Sequence, residues 1–373
     1  MRRIKIYIHK QDDWPQFTWQ DSELQKLLGE VRNLQGKTVG KMENLGFDLR
    51  DEASLETLTM DVVKSSEIEG EMLDKQEVRS SIAQRLGLEI SGLVELTRDV
   101  DGVVDMMLDA TQKASELLTE DRLFGWHNCL FPTGRSGMYK ILVSQWRDDS
   151  TGPMQVVSGA MSKEKVHFEA PKASRVQKEM EEFIRWFDEQ EAIDPVLKAG
   201  IAHLWFLTIH PFEDGNGRIA RALTDMLLAR ADGISQRFYS MSTQIRIERK
   251  GYYSILEKTQ KGNLDITEWL RWFLECLKQA LLASGQIVEK VLFKHRFWDT
   301  FAQEPFNERQ IKMLNKLIDG FTGKLSSSKW AKITKCSPDT ALRDIQGLIE
   351  KGILRKTEEG GRNTNYELVE VAS

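Results

Sequence analysis

The 373-residue sequence has few cysteines and no long apolar run. Its three cysteines, Cys129, Cys276 and Cys336, lie far apart without a Cys-x-x-Cys pair. This spacing argues against a disulfide scaffold or a zinc knuckle and fits a reducing cytoplasm. No stretch approaches the roughly 20 apolar residues of a transmembrane helix, so we expect no membrane partner. The first residues are too polar for the apolar region of a signal peptide.

Net charge is also small, and it is unevenly distributed. The formal net charge is −5 and 40% of the residues are hydrophobic, which is typical of a globular protein not built around nucleic acid. From Pro305 to Ser373, 12 Lys or Arg outnumber 9 Asp or Glu. The length predicts two or three domains. We expect an N-terminal extension over 1–50, a core over 51–285, and a linker helix with a separate module over 286–373.

Apolar periodicity predicts a mainly α-helical fold. Leucines and a valine over 24–34 fall on one helical face, and a further helix is expected over about 55–70. The segment Val196–Ile209 is nearly all apolar, which predicts a helix buried on every side. That helix should end by His210, because Pro211 disfavours a helical backbone in the residue before it.

Short β-type runs interrupt the helical pattern. The alternation over 4–8 predicts a strand that pairs with 17–19 in an N-terminal hairpin. Two further runs, 141–143 and 154–157, predict one or two hairpins in the middle of the chain. The expected fold is therefore a helical core with a β-hairpin.

The last 70 residues have a pattern of their own. Helices are expected near 308–319 and 328–333, then a helix opened by Ser337 and Pro338 and ended by Gly352, and then a hairpin. Three helices and a hairpin predict a small winged helix-turn-helix (α+β). Side chains available for DNA contact are Thr340, Arg343, Asp344, Gln346, Lys332, Lys335, Arg355, Lys356 and Arg362. The small net positive charge leaves protein docking as an equal alternative.

The densest group of chemically active residues lies between His210 and Arg221. Gly215, Asn216 and Gly217 form a tight loop at a predicted helix N-terminus, where free amides and the helix dipole favour an anion. Arg218 and Arg221 are three residues apart and can both reach that anion.

Two further residues complete this group. Asp214 can hold a Mg²⁺ that bridges phosphate oxygens, and His210 is a candidate base beside them. A plain surface loop is the alternative for any one of these residues. Five functional types within twelve residues instead predict transfer of a phosphate-containing group.

The segment matches the signature His-x-Phe-x-(Asp/Glu)-Gly-Asn-Gly-Arg-x-x-Arg at every specified position. The chain therefore resembles the Fic family over most of about 50–280. The resemblance implies a helical Fic core with a β-hairpin flap and an AMPylation activity. AMP would move from Mg·ATP to a Ser, Thr or Tyr hydroxyl of a protein, with pyrophosphate released.

The resemblance also implies residue roles. His210 would deprotonate the incoming hydroxyl and Asp214 would bind Mg²⁺. The remaining motif residues would bind ATP: Gly215, Asn216 and Gly217 around the phosphates, Arg218 and Arg221 on the β- and γ-phosphates. Phe212 would anchor the loop in the core.

Other positions resemble family features less closely. The hairpin with Val157, Ser158 and Gly159 resembles the flap that docks a target segment by strand addition. Tyr252 resembles a tyrosine lining the nucleotide site, and Gln260 stands on the adenine side where the family often has Asn. A structural hairpin and a core tyrosine are the alternatives.

A six-residue pattern suggests built-in inhibition. Glu69 sits at a predicted helix C-terminus, where the dipole disfavours a carboxylate, so a cationic partner is expected. Ser65 to Gly70 matches the family's inhibitory pattern (Ser/Thr)-x-x-x-Glu-(Gly/Asn). The resemblance implies that Arg221 is the partner and that the pair blocks productive ATP binding.

The sequence leaves other activities open. The same fold can use another nucleotide donor, transfer phosphate, or remove AMP with Glu69 positioning water. The chain can also be a DNA-binding regulator whose Fic domain only senses nucleotide. The target protein, self-modification and homodimerisation stay open, and His203 is expected to be a core residue rather than a ligand.

Overall fold

The computed structural model describes residues 7–43, 45–88, 98–150, 152–159, 165–189, 193–234, 236–318, 320–321, 323–357 and 364–369. Within these ranges the chain is mostly helical, with three two-stranded antiparallel sheets. The expected mainly α-helical class is confirmed. The chain divides into two compact units, Met1–Gly285 and Gln286–Ser373. None of the helices in these ranges is both long and apolar enough to cross a membrane.

The first unit contains most of the helices. A 3₁₀ helix over Ile8–Lys10 is followed by α1 Asp21–Glu43, α2 Phe47–Ile68, α3 Lys75–Leu86, α4 Arg98–Gln112, α5 Glu120–Leu130, α6 Ala173–Asp188, α7 Pro195–Ile209, α8 Asn216–Asp232, α9 Met241–Ile247 and α10 Arg249–Gln260. Helix α11 spans Thr267–Thr300 and contains the boundary between the units. Two hairpins lie between α5 and α6: β1 Arg135–Ser136 with β2 Tyr139–Lys140, and β3 Gln155–Ser158 with β4 Lys165–Glu169.

Helix α7 forms the centre of the first unit. Every residue from Val196 to Ile209 is buried, as its apolar sequence predicts, and α7 packs most extensively against α8. Its N-terminus is capped by Asp194, whose side chain accepts from the Val196 amide. It ends before His210, which adopts a left-handed backbone with φ 52°. The loop over 210–215 thus joins the two central helices.

Helix α2 brings the inhibitory pattern onto this core. It begins earlier than the periodicity indicated and ends at Ile68, so that Glu69 follows its last turn. Gly70 has φ +91°, which an L side chain rarely adopts, and it turns the chain back. The Glu71 amide then bonds the Ser66 carbonyl at 3.0 Å, which holds Glu69 and Glu71 in one tight turn.

The predicted N-terminal hairpin is wrong where the structure describes it. Residues 4–6 lie outside the described ranges, and Ile8 starts the 3₁₀ helix instead of continuing a strand. Thr18 pairs with the segment before α11: its amide bonds the Leu264 carbonyl at 2.9 Å and its carbonyl accepts from Ile266 at 2.8 Å. Thr18 thus pairs with a segment that is distant in sequence, and not with the nearby residues that the local alternation indicated.

The predicted strand at 141–143 is also absent. Those residues are irregular, and the strands of that hairpin lie just before them. The Leu142 amide donates to Glu213 Oε2 at 2.7 Å, so a side chain of the His210–Arg221 segment takes the place of a strand partner.

The second unit has its own core around Trp330 and Ile345. Its elements are α12 Glu308–Ile318, α13 Ser327–Thr334, α14 Pro338–Glu350, β5 Leu354–Lys356 and β6 Tyr366–Leu368. The order of helices and hairpin is the predicted one, and their assignment as a winged helix stays a prediction. Arg362 lies outside the described residues. Asp344 is wrong as a DNA contact: it is buried and its carboxylate pairs with Arg309 at 2.7 Å, because it lies on the inner side of α14.

Candidate active site

The N-terminus of α8 forms an anion cradle. The first intrahelical bond is donated by the Ile219 amide to the Gly215 carbonyl at 3.0 Å, so the amides of Asn216, Gly217 and Arg218 precede it. Gly215 has φ +81°, which starts the helix from a sharp turn. These amides and the helix dipole favour a negative group at this end.

A carboxylate already lies against this cradle. A Cβ placed on Gly217 would lie 2.1 Å from Glu69 Oε1, so a side chain at Gly217 is incompatible with this position of Glu69. Glu69 Oε1 also pairs with Arg221 Nη2 at 2.8 Å. Ser65 contributes two more contacts, since its Oγ and its carbonyl accept from Arg221 at 2.8 and 2.9 Å. The structure thus brings the predicted Ser65, Glu69 and Arg221 together.

A second glutamate binds the second arginine of the group. Arg218 Nη1 donates to Glu71 Oε2 at 2.6 Å, and its guanidinium lies 5.1 Å from the centre of the Phe131 ring. Arg218 Nε and Arg221 Nη1 are buried and find no hydrogen-bond acceptor among the described residues. Buried unpartnered guanidinium nitrogens beside an anion cradle fit an anionic ligand with several oxygens.

His210 is suited to accept a proton. Its Nδ1 lies 3.3 Å from the Leu207 carbonyl, so the neutral ring carries its hydrogen on Nδ1 and leaves Nε2 with a free lone pair. Burial lowers the pKa of His210 to about 4, although the residue keeps a partial opening to solvent. The ring is therefore neutral at pH 7. Its left-handed backbone costs about 1–2 kcal/mol, which the surrounding structure must offset.

Asp214 presents a carboxylate beside the cradle. Ser136 Oγ donates to Oδ2, and the Gly215 amide donates to Oδ1 at 2.6 Å. Each oxygen keeps a second lone pair. Among the residues that the structure describes, no cluster of three or more His, Cys, Asp or Glu can hold a metal on its own. One carboxylate next to a phosphate cradle nevertheless fits Mg²⁺, which binds through one or two carboxylates plus substrate phosphates.

Asn216 shapes the loop. Its Oδ1 accepts from the Phe212 amide at 3.0 Å and its Nδ2 donates to the Phe212 carbonyl at 2.8 Å. Phe212 is buried and stacks on His127 with ring centres 4.1 Å apart, so it anchors the loop as predicted. These two bonds leave one Nδ2 hydrogen and the backbone amide of Asn216 as donors, and the contact of Asn216 to phosphate stays a prediction.

Tyr252 and Gln260 are both buried. Tyr252 is buried and its hydroxyl pairs with His203 Nε2 at 2.9 Å, while His203 Nδ1 pairs with Thr224 Oγ1 at 2.9 Å. His203 is thus a core residue, as expected, and Tyr252 packs as the core alternative described. Gln260 is buried and donates to the Leu207 carbonyl at 3.3 Å, the same carbonyl that His210 contacts. Nucleotide contacts of Tyr252 and Gln260 stay predictions.

The β3–β4 hairpin carries the flap positions. Val157 and Ser158 are exposed on β3, and Gly159 follows with φ +114°, while residues 160–164 lie outside the described ranges. Ser158 Oγ lies 2.5 Å from His167 Nε2, and His167 Nδ1 lies 2.7 Å from Glu257 Oε2 of α10, which ties the hairpin to the core. In the described part of the chain β3 pairs only with β4, so its other edge can accept a strand. Target docking there stays a prediction.

Sequence reasoning missed three residues of this site: Glu71, Ser136 and Arg147. Glu71 carried a readable signal, because it is a second carboxylate one residue beyond the glycine turn. Ser136 and Arg147 carried none, because only the tertiary fold brings them to Asp214 and to the His210 carbonyl.

Comparisons with known proteins agree with this geometry. Residues 117–228 match the Fic/DOC family, and residues 7–88 match a domain of unknown function, DUF4172. Proteins named "Protein adenylyltransferase Fic" from Drosophila melanogaster and Drosophila sechellia are 34% identical over 104 residues. The match covers 27% of this chain and 20% of those proteins, so it spans only about a fifth of the relatives' length.

Two solved structures share the fold. A Fic family protein from Desulfovibrio desulfuricans superposes with a TM-score of 0.56 at 21% identity, over 96% of this chain and 99% of that one. A Fic domain containing signaling protein from Bacteroides thetaiotaomicron gives 0.51 at 20% identity, over 72% and 97%. Residues 117–228 therefore form a Fic/DOC family domain, and the described chain shares the fold of solved Fic proteins.

Proposed function

We propose that this chain is a self-inhibited protein adenylyltransferase, which moves AMP from Mg·ATP to a Ser, Thr or Tyr hydroxyl of a protein. The observation that carries the proposal is the Glu69 carboxylate lying against the α8 cradle and paired with Arg221 at 2.8 Å. A carboxylate held on a site built for anions marks the position of a competing phosphate. The relatives named as protein adenylyltransferases support the same reaction.

The triphosphate is held by the N-terminal turn of α8. Its first amides donate to phosphate oxygens, and the buried nitrogens of Arg218 and Arg221 that lack acceptors supply further donors. Asp214 would hold Mg²⁺, which when bound neutralises phosphate charge. These contacts fix the α-phosphorus for in-line attack, where positioning contributes more than covalent catalysis.

His210 acts as the general base. Its free Nε2 accepts the proton of the target hydroxyl as that oxygen forms a bond to the α-phosphorus. The bond between the α-phosphorus and the bridging oxygen breaks, and pyrophosphate leaves. The low pKa of His210, about 4, keeps the ring unprotonated and ready at neutral pH.

Glu69 inhibits by competition for one guanidinium. Arg221 is 1% exposed and is held by two hydrogen bonds to Ser65, so a γ-phosphate must share it with the carboxylate. Two anions on one buried cation repel each other, which disfavours productive ATP binding. Removing Glu69 frees one Nη2 hydrogen of Arg221 for the γ-phosphate, while the other stays on the Ser65 carbonyl.

Intact-mass spectrometry tests the proposal. Wild type, Glu69→Gly, Glu69→Gly/His210→Ala and the control Glu67→Gly are incubated with Mg²⁺ and ATP, GTP, CTP or UTP in turn. Glu67 is a matched control because it also lies at the end of α2 but pairs with Lys64 and Arg246 instead of a motif arginine. We expect an added AMP in Glu69→Gly alone, and its loss in the double variant.

Other outcomes separate the alternatives. An adduct of different mass would identify another donor or phosphate transfer, and release of AMP from a modified protein would indicate the reverse reaction. A second arm supplies labelled ATP and the proteins of a cell lysate as targets. No adduct in either arm would refute transfer and leave a nucleotide-sensing regulator. DNA binding by the C-terminal unit, cytoplasmic location and homodimerisation stay predictions.

A further inference from the structure

Arg147 lies in the connection between the two hairpins and holds the backbone around His210. We propose that Arg147 is a positioning residue, which fixes the His210 ring for proton transfer and couples it to the base of the β3–β4 hairpin. The inference rests on the proposed function of His210 as a base. Arg147 lies outside the His210–Arg221 segment, and the chemistry assigned to that segment does not include it.

The contacts of Arg147 converge on main-chain oxygens. Its Nε donates to the His210 carbonyl at 2.7 Å, and its backbone amide donates to the Pro211 carbonyl at 2.9 Å. Nη2 donates to the Pro171 carbonyl at 2.5 Å and lies 3.5 Å from the Ile209 carbonyl. The side chain has no solvent exposure. One residue therefore binds the end of α7, the loop after it, and the segment that follows β4.

The loop needs such a restraint. His210 is a non-glycine residue in a left-handed conformation, which side chains rarely adopt without support. Pro211 removes the alternative of a continued helix. The buried guanidinium of Arg147 binds the His210 carbonyl and its backbone amide binds the Pro211 carbonyl, and together these bonds fix the direction of the ring. A lysine has one nitrogen and cannot reproduce this fork.

The charge of Arg147 gives a second, independent effect. The charged groups that act on His210 are Arg147, Asp214 and Glu69. Burial is the largest cause of the lowered pKa of His210, and the Arg147 charge lowers it further, while Asp214 and Glu69 raise it. Removing the charge should therefore raise the pKa of His210. Removing an arginine that only supports the structure elsewhere should leave this pKa unchanged.

Transfer kinetics in the Glu69→Gly background provide the first test. Arg147→Lys should lower kcat roughly 10- to 100-fold, because a shift of about 1 Å in a reacting group can cost that much. KM for ATP should change less than about twofold, because Arg147 contacts none of the phosphate-binding side chains. Arg122→Lys is the matched control: Arg122 also donates to main-chain carbonyls, those of Asp109 and Lys113, but away from His210. It should keep both constants.

Titration of the histidine ring by NMR provides the second test, without any need for activity. His210→Ala assigns the signal, and Arg147→Gln should move its midpoint upward while Arg122→Gln leaves it in place. If Arg147→Lys retains kcat, or if Arg147→Gln leaves the titration unchanged, the proposal is overturned. If Glu69→Gly transfers no nucleotide, the proposed function fails and the titration alone decides the role of Arg147.

A milder variant, Asp149→Asn, tests the proposal if the Arg147 variants do not fold. Asp149 pairs with Arg147 Nη1 at 3.3 Å and steadies the guanidinium from its more exposed side. If the Arg147 variants do not fold, Asp149→Asn in the Glu69→Gly background should lower kcat severalfold at constant KM. An unchanged kcat in that variant would overturn the proposal.

Discussion

The two glutamates around Gly70 should contribute unequally to the proposed inhibition. Glu69 pairs with Arg221 at 2.8 Å and Glu71 pairs with Arg218 at 2.6 Å, so distance alone does not rank them. The perturbation is Glu69→Gln, Glu71→Gln and the double variant, since glutamine removes the charge and keeps the size. The family pattern includes only Glu69, whereas the structure adds Glu71.

The burial of the two glutamates ranks the two ion pairs by their expected free-energy contribution. The Glu71 side chain is 46% exposed, so solvent screens its pair and the expected contribution is that of a surface ion pair, about 0.2–1 kcal/mol. The Glu69 side chain is 31% exposed but lies against the cradle and a guanidinium with almost no solvent contact. A hydrogen bond to such a charged group contributes about 1.5–3 kcal/mol. Relief of inhibition should therefore be roughly 10- to 150-fold for Glu69→Gln and at most about 5-fold for Glu71→Gln.

The assay is the initial rate of AMP incorporation from ATP, measured at low and at high salt. Glu67→Gln is the control, because Glu67 pairs with Lys64 at 2.7 Å and not with a motif arginine. The effect of Glu71→Gln should shrink as salt screens the exposed pair, while that of Glu69→Gln persists. Glu69→Gly should exceed Glu69→Gln, because the amide still fills the space above Gly217.

The reasoning would be refuted by the reverse order. If Glu71→Gln activates as strongly as Glu69→Gln, exposure does not control the strength of these pairs. If neither variant exceeds wild type, the carboxylates do not compete with phosphate. The double variant measures their coupling, since residues in one turn need not act additively.

Three further predictions concern His210, Asp214 and His203. Because the pKa of His210 is about 4, transfer by Glu69→Gly should keep its rate from pH 7 to 5, and an acid limb near pH 6.5 would contradict this base. Asp214→Asn in the same background should raise the Mg²⁺ concentration for half-maximal rate at least about tenfold, whereas an unchanged requirement would exclude Asp214 as a ligand. Burial lowers the pKa of His203 to about 3, so its contribution to stability is lost as the pH falls below 6.5. The loss is about 2 kcal/mol at pH 5, and urea unfolding of His203→Gln should show a correspondingly weaker pH dependence between pH 7.5 and 5.

Local sequence was sufficient for the elements that bear the site. An apolar segment followed by His210 and Pro211 specifies a buried helix and its end, because burial and proline geometry are local properties. Gly215 likewise specifies the turn that exposes the amides of α8. The grouping of His210 with the glycine turn and the two arginines was predictable for the same reason, because these residues lie within one loop and one helical turn.

Long-range pairing was not predictable in the same way. The hairpin predicted for 17–19 is not seen at Thr18, because Thr18 finds its backbone partners before α11, 246 residues or more later in the chain. Asp344 is predicted as a DNA contact, but it is buried and pairs with Arg309. In each case the deciding partner is distant in sequence, and no local pattern encodes it.

The sequence by itself determined which residues are candidates to bind phosphate and to accept a proton, because these candidates follow from side-chain chemistry and from the spacing of one turn. Only the tertiary structure decided which of them face each other. It brings Glu69 and Glu71 from the end of α2 to the two arginines of α8, and it brings Arg147 to the His210 carbonyl. Such contacts depend on how separate helices pack around a shared core, and packing is a property of the whole chain.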